Sequence, residues 1–191
     1  NQFLRWCKEY GVLVVTVFGF SSENWKRPQD QVDFLMHVFE KYLEEGIEEF
    51  NQEDVRVKVI GQKHKLSESL KKVVEKVEEA TKNNTAMHLN LAVSYGGRWD
   101  IVNAVKEIIK KGIDPETLTE DIFASYLSTA GLPEPDLIIR VGGEMRLSNF
   151  VLWQGAYSEL YFSEKLWPDF TKQDLEKALE EFDSRSRRFG K

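Results

Sequence analysis

The sequence predicts one α/β domain, built on a mostly parallel central sheet that is flanked by helices. Strand-like apolar segments alternate with amphipathic helical segments along the whole chain. The run at 11–20 is almost continuously apolar and rich in β-branched residues, which is typical of a strand buried on both faces of a parallel sheet. A length of 191 residues without an internal repeat or linker suits a single domain, so we treat 1–191 as one unit.

The predicted elements follow from two hydrophobic periodicities. Apolar residues recur every three or four positions where a helix is expected, and the segment 55–60 alternates as a strand does. Gly11 ends the first helix, Gly96–Gly97 marks the turn into the fourth, and Thr171 caps the last. In chain order we predict a helix before Gly11, a strand at 11–20, a helix at 28–53, a strand at 55–60, a helix at 66–82, a strand at 87–94, a helix from 97, a short helix at 122–127, strands at 136–140 and 159–162, and a helix from 172 towards 189.

Composition narrows the class of function. The chain has 26 Lys and Arg against 32 Asp and Glu, a net charge of −6, which argues against a nucleic-acid partner. A phosphorylated small molecule remains compatible, because a few well-placed arginines suffice to bind it. The single cysteine, Cys7, excludes an internal disulfide and fits a reducing compartment. The longest apolar run is too short to cross a bilayer, so we expect a cytoplasmic protein.

Several kinds of site are absent from the sequence pattern. The three histidines, His37, His64 and His88, lack zinc-ligand spacing. Cys7 at a helical apolar position is typical of a small buried hydrophobe. The sequence contains neither a Walker loop nor a Gly-x-Gly-x-x-Gly motif, which argues against a nucleotide cofactor. The apolar faces of the two long helices have two interpretations: they form core, or they line an apolar tunnel.

We expect three segments to lie beyond the carboxyl ends of strands, where ligands bind in parallel sheets, and the third of them carries Glu159. Segment 20–28 combines hydroxyls, a carboxylate, an amide, an indole and two cations. It is either a functional loop or a capped loop in which Trp25 fills the core. In segment 140–149, Arg140 and Arg146 flank a Gly-Gly turn whose N–H groups suit a diphosphate. The alternative is an Arg140 that pairs with Glu144 or Asp136.

Glu159 is a carboxylate at the entrance of a predicted aromatic strand, and it has two interpretations. Such a side chain is rarely buried without a partner. It suits Mg²⁺, which takes one or two carboxylates and completes its shell with phosphate and water. On these residues alone, a salt bridge is favoured over a metal ligand.

Five sequence motifs are distributed along the whole chain. They are Phe18-Gly-Phe-Ser-Ser-Glu-Asn-Trp-Lys-Arg-Pro28, Tyr95-Gly-Gly-Arg-Trp-Asp100, Pro135-Asp-Leu-Ile-Ile-Arg140, Gly142-Gly-Glu-Met-Arg-Leu-Ser-Asn-Phe150 and Leu166-Trp-Pro-Asp-Phe170. Together they give the chain a specific resemblance to the cis-prenyltransferases, the undecaprenyl diphosphate synthase family.

That resemblance implies the cis-prenyltransferase fold with an apolar tunnel between the sheet and the helices at 32–50 and 70–77. It also implies a transferase that condenses isopentenyl diphosphate onto an allylic diphosphate, such as farnesyl diphosphate, with Z double bonds. The product would be a polyprenyl diphosphate.

The resemblance also implies roles for individual residues. Asn24 would be catalytic, assisting removal of the proton from the condensing unit, and Glu159 would help to hold Mg²⁺. Arg188 and Gly190 resemble a tail that reaches into the partner's active site, so we expect a homodimer. Peripheral membrane contact would arise through the lipid product. The residues expected to bind substrate or shape its site are Phe20, Ser21, Ser22, Glu23, Trp25, Arg27, Arg140, Arg146, Leu147 and Ser148.

The chain departs from the family pattern in three places. The family's Asp-Gly-Asn-Gly-Arg-Trp segment, which carries an essential aspartate, would precede Asn1, so we expect the natural protein to be longer at its N-terminus. Without that strand we expect a gap in the sheet. An organelle location would apply only if a transit peptide preceded Asn1. Val141 stands where a hydroxyl residue is common, and Gln31 where glutamate is usual.

A rival hypothesis is a non-catalytic partner subunit of the same fold, which would stabilise an active sister chain. Another is a lipid-carrying module without turnover. Retention of Arg140, Arg146, Ser148, Asn24 and Glu159 favours the enzyme over both.

Overall fold

The computed structural model describes residues 2–185. The predicted alternation of strands and helices is confirmed along this range. The elements are α1 Gln2–Glu9, β1 Val14–Ser21, α2 Gln29–Gln52, β2 Val55–Ile60, α3 Glu68–Thr81, β3 Met87–Tyr95, α4 Gly97–Lys110, α5 Glu120–Ala124, β4 Leu137–Arg140, β5 Glu159–Phe162 and α6 Lys172–Ser184.

All strand pairings in the described part of the chain are parallel, as predicted. One sheet has the order β1-β3-β2, and the other pairs β4 with β5. Parallel pairing brings the carboxyl ends of neighbouring strands to one edge, so the segments that follow β1, β3 and β4 are the candidate ligand-binding segments.

Strand β1 is less buried than its composition predicts. It pairs with β3 on one side and lies at the edge of its sheet among the described residues, and most of its side chains are half-buried. The fully covered strand is β3, which lies between β1 and β2 and buries eight of its nine residues. An apolar run indicates burial, but it does not indicate which strands will lie on either side.

Helices α2 and α3 cover one face of the three-stranded sheet. Their inner side chains are at most 8% exposed and form one cluster with β2 and β3. Each such side chain contributes about 1.5–3 kcal/mol to folding. The residues of this inner face are Val32, Leu43, Phe50, Leu70, Val73, Val74 and Val77. These seven side chains belong to the core, the first of the two interpretations drawn from the sequence.

The end of the chain differs in detail from the prediction. Helix α5 begins at Glu120, two residues before the predicted start. Helix α6 begins after Thr171, as predicted, because the Asp174 carboxylate accepts from the Thr171 N–H at 2.7 Å. Helix α6 ends at Ser184, and Phe189 lies outside the described residues. None of the helices in the described range has the length and apolar character needed to cross a membrane.

Candidate functional site

The segment after β1 forms a 3₁₀ turn over Ser22–Lys26. Within it, Asn24 Oδ1 accepts a hydrogen bond from the Ser21 N–H at 2.9 Å. The carboxamide of Asn24 is therefore held in one orientation beside the carboxyl end of β1. A fixed amide near a ligand-binding edge can orient a substrate or a water molecule.

Trp25 anchors the same turn to the sheet. Its indole N–H donates to Ser94 Oγ at 2.7 Å, and its ring meets Phe20 edge to face at 5.1 Å. Phe20 is 1% exposed and belongs to the core. Trp25 thus fills core space, as the structural interpretation of the loop holds. If Phe20 shapes the site as expected, it does so by packing under the turn against Trp25.

Arg27 lies where the turn meets α2, beside an open groove. The groove is also lined by Asp30, Gln31, Phe34 and Leu35. Phe34 is 66% exposed, an unusual position for a large apolar ring. A cation beside exposed apolar side chains suits a ligand with an anionic head and an apolar tail.

Arg140, the last residue of β4, has an unpaired buried nitrogen. Its Nε has no hydrogen-bond partner among the described residues. Buried polar atoms are nearly always paired, because an unpaired donor costs about 1–3 kcal/mol. An anion at this position would pair the donor and be bound by its charge.

The Gly-Gly turn after β4 has a backbone conformation that favours glycine, but its N–H groups do not have the role that we expected. Gly142 and Gly143 have φ of 92° and 74°, the left-handed region that favours glycine. Their N–H groups donate to Lys165 O at 2.8 Å and Ser163 O at 2.9 Å. The prediction that these N–H groups are presented to a diphosphate is therefore wrong, because the segment after β5 already uses them.

Arg146 forms an ion pair with Glu144 at the tip of this segment. Glu144 is thus the partner of Arg146, whereas the sequence suggested it as a partner of Arg140. Both side chains are about half exposed, so the pair contributes little to stability and a stronger anion can displace Glu144. Leu147 packs against the second core cluster, and Ser148 beside it is exposed.

Asn149 joins the two segments and was not singled out from the sequence. Its Nδ2 donates to Glu23 Oε1 at 2.9 Å. Burial acts to raise the pKa of Glu23, but hydrogen bonds from its own backbone and from Asn149 outweigh burial, and the net pKa is lowered. The contact brings Ser22–Lys26 against the segment that carries Arg146 and Ser148. The sequence feature that could have identified Asn149 was its position in the motif 142–150, directly after Ser148.

The sequence analysis also missed a buried group of hydrogen-bonded side chains centred on Asp100. Asp100 is 2% exposed and accepts hydrogen bonds from Tyr95 at 3.0 Å, Ser128 Oγ at 2.6 Å and Gln154 Nε2 at 3.1 Å. Burial, followed by the nearby Asp100 carboxylate, raises the pKa of Tyr95. A fully hydrogen-bonded buried carboxylate rigidifies the elements it joins. The motif Tyr95–Asp100 contained this pair.

Glu159 does not lie at the carboxyl edge of the sheet. It opens β5 opposite Leu137, three residues before the level of Arg140 and hence about 10 Å from it along the strands. Its carboxylate accepts from Arg185 Nη1 at 2.8 Å. This is the salt bridge that the sequence left open, and it raises the pKa of Arg185.

The described residues do not by themselves make a metal centre. No three His, Cys, Asp or Glu side chains within 2–185 converge in a way that could hold an ion. Glu159 supplies one carboxylate, and a guanidinium already neutralises it. The predicted contribution of Arg188 and Gly190 to a partner's site lies outside the described residues.

Comparisons with known proteins all identify the same protein family. The family model described as putative undecaprenyl diphosphate synthase matches residues 1–190. The isoprenyl transferase of Thermotoga maritima is 49% identical over 195 residues, which cover all of this chain and 82% of that protein. A Legionella pneumophila protein named ditrans,polycis-undecaprenyl-diphosphate synthase, (2E,6E)-farnesyl-diphosphate specific, is 44% identical and is likewise covered over 82% of its length.

A solved structure extends the agreement to the fold. The lavandulyl diphosphate synthase of Lavandula x intermedia, in complex with dimethylallyl diphosphate, superimposes with a TM-score of 0.93. The two sequences are 38% identical, and the match covers 98% of this chain and 83% of that one. The predicted α/β fold with a parallel sheet is thereby confirmed.

Proposed function

The chain belongs to the undecaprenyl diphosphate synthase family, and we propose that it condenses isopentenyl diphosphate onto an allylic diphosphate, such as farnesyl diphosphate, to give a cis-polyprenyl diphosphate. It is a prenyl-transferring enzyme, as its relatives named isoprenyl transferase are. The proposal assigns isopentenyl diphosphate to the segment after β4 and proton removal to the turn after β1.

The observation that carries this assignment is the unpaired Nε of Arg140. It is a charged donor without a partner among the described residues, in the motif that the family resemblance links to diphosphate. Arg146, whose exposed partner Glu144 is displaceable, and the exposed hydroxyl of Ser148 lie on the same segment. Guanidinium groups and a hydroxyl together match the oxygens of a diphosphate in charge and geometry.

The reaction requires groups that act on different parts of the substrates. Departure of diphosphate from the allylic substrate develops negative charge on its oxygens, which preorganised cations stabilise. Arg27 lies at the open groove with Phe34 and suits the allylic substrate, whose head is anionic and whose tail is apolar. Asn24, with its carboxamide fixed by Ser21, would orient the group that takes the proton from the condensing unit.

Other parts of the proposal depend on the family alone. A magnesium requirement is one, and Glu159 is the carboxylate that would contribute to the shell of the ion. A homodimer with Arg188 and Gly190 entering the partner's site is another. The extended product would lie in an apolar tunnel and bring the enzyme to a membrane surface. We also propose a cytoplasmic location, which the single cysteine supports because it fits a reducing compartment.

The second candidate is a non-catalytic partner subunit of a heteromeric synthase. Such a subunit needs the fold but no diphosphate site. The retained Arg140, Arg146 and Ser148, and the fixed amide of Asn24, favour the enzyme.

The test is to incubate the natural full-length protein with radiolabelled isopentenyl diphosphate, farnesyl diphosphate and Mg²⁺. The proposal predicts a butanol-extractable polyprenyl product whose new double bonds are Z by NMR. Absence of product from the protein alone, with product formed only when an active sister chain is added, would support the partner-subunit reading.

A further inference from the structure

Asn149 holds three segments of the chain together through separate atoms. Its side-chain Nδ2 donates to Glu23 Oε1 at 2.9 Å, in the turn after β1. Its Oδ1 accepts from the Arg98 N–H at 2.9 Å, and its backbone carbonyl accepts from the Gly97 N–H at 2.6 Å. One residue therefore connects the turn after β1, the start of α4 and the segment after β4.

The start of α4 depends on this residue for its cap. Gly96 occupies the N-cap position and has no side chain to accept the first free N–H groups of the helix. Asn149 supplies both acceptors from another part of the chain. A Cβ on Gly96 would lie 2.6 Å from Asn149 Nδ2 and 2.5 Å from Ser22 Oγ. Only glycine leaves room for the two side chains to meet above the helix.

The segment around Asn149 is held in an unfavourable backbone conformation. Ser148, Asn149 and Val151 have φ of 50°, 65° and 34°. Asparagine tolerates this region, but serine and especially the β-branched valine rarely adopt it. Such strain persists only where surrounding contacts enforce it, and it is concentrated at functional sites. The hydrogen bonds of Asn149 are the contacts at the centre of this strained run.

We propose that Asn149 is a positioning residue for the condensation: it sets Ser148 and Arg146, on one segment, at a fixed relation to Asn24, on the other. This inference rests on the proposed function. A carboxamide is required because the position needs an acceptor for Arg98 N–H and a donor to Glu23 at the same time. Aspartate keeps the acceptor and loses the donor, and it places two carboxylates in contact.

The experiment reverses the polarity of one hydrogen bond. Asn149→Asp retains the acceptor for Arg98 but repels Glu23. Adding Glu23→Gln restores a bond between the same two positions, now donated by the glutamine amide to the aspartate. The four proteins of this cycle are assayed for kcat and for the KM of isopentenyl diphosphate, and their thermal midpoints are measured.

We expect Asn149→Asp to lower kcat/KM about ten-fold or more, by raising KM and lowering kcat together. The reason is that the turn after β1 and the segment after β4 lose their fixed relative position. The double variant should recover at least five-fold relative to Asn149→Asp. Equal kcat/KM in Asn149→Asp and wild type, or a double variant no better than Asn149→Asp, overturns the proposal. A loss of thermal midpoint with unchanged kinetics also overturns it, because the role is then structural.

A second variant covers the case in which Asn149→Asp fails to fold. Gly96→Ala keeps the asparagine at position 149, but the added methyl group pushes the Asn149 amide and the Ser22 hydroxyl away from each other. It should reproduce the rise in KM with the fall in kcat, and unchanged kinetics would overturn the inference. A wild-type protein that makes no product contradicts the proposed function instead. In that case the same cycle is read by its thermal midpoints: a higher midpoint in the double variant than in Asn149→Asp is expected, and equal midpoints overturn the contact.

Discussion

Trp25 donates its indole N–H to the Oγ of Ser94 at 2.7 Å, which ties the turn after β1 to the end of β3. Ser94 is fully buried and has a positive φ of 54°. The indole is thus a brace between two strand ends at the candidate site, and its ring also covers Phe20. The turn that carries Asn24 is held from below by this brace and from the side by Asn149.

Replacing Trp25 by phenylalanine should destabilise the protein by about 1–2 kcal/mol, because the buried Ser94 hydroxyl loses its donor. Urea unfolding measures the loss. Ser94→Ala and the double variant complete a cycle, and the double variant should be less destabilised than the sum of the two single variants. Strict additivity would mean that the hydrogen bond contributes nothing of its own.

Arg146→Ala should raise the KM for isopentenyl diphosphate about ten-fold or more, since a hydrogen bond to a charged group is worth about 1.5–3 kcal/mol. Steady-state kinetics with the allylic substrate saturating is the measurement. Arg56→Ala is the matched control, because Arg56 is an exposed arginine on β2. Equal KM values in both variants would remove Arg146 from the diphosphate site.

The ion pair of Glu159 with Arg185 should contribute about 1 kcal/mol or less, because both side chains are about 30% exposed. A thermal-unfolding cycle with Glu159→Gln and Arg185→Gln measures this coupling, which should fall as salt is added. The magnesium dependence of turnover is recorded on the same variants. The metal role predicts a higher magnesium requirement in Glu159→Gln, and an unchanged titration leaves only the ion pair.

Stability should decline as the pH rises above 9. Burial raises the pKa of the Cys7 thiol from 9.0 to about 12. Between these values the unfolded chain releases a proton that the folded chain keeps, so the stabilisation present below pH 9 is lost as the pH rises. At pH 10 the loss is about 1.4 kcal/mol. Urea unfolding at pH 8 and pH 10 should show a smaller decline in Cys7→Ala, and equal declines would contradict the assignment to Cys7.

The order of the elements was predictable from the sequence because each has a clear local pattern. Alternation gave β2 its bounds of Val55–Ile60 without error, and Thr171 marked the start of α6. The burial of β1 was not predictable, since an apolar run does not specify neighbouring strands. The prediction that Glu159 lies beyond the carboxyl ends of the strands was wrong for a related reason: only the register of β5 against β4 shows that it lies opposite Leu137, at the start of the pair.

The residues of the candidate site were predictable from the sequence, but the hydrogen-bond partners of those residues were not. Arg140, Arg146 and Asn24 were identifiable from their motifs. The use of the Gly142 and Gly143 N–H groups was not, because their acceptors lie about 20 residues further along the chain, after β5. The bond from Asn149 to Glu23 spans 126 positions, a separation at which local patterns carry no information.

The most direct test of the central claim is a crystal structure of the natural full-length protein with isopentenyl diphosphate. The account predicts that a diphosphate oxygen lies within hydrogen-bonding distance of Arg140 Nε, with Arg146 and Ser148 on the same group. A diphosphate bound elsewhere, with Arg140 Nε still unpaired, would contradict it.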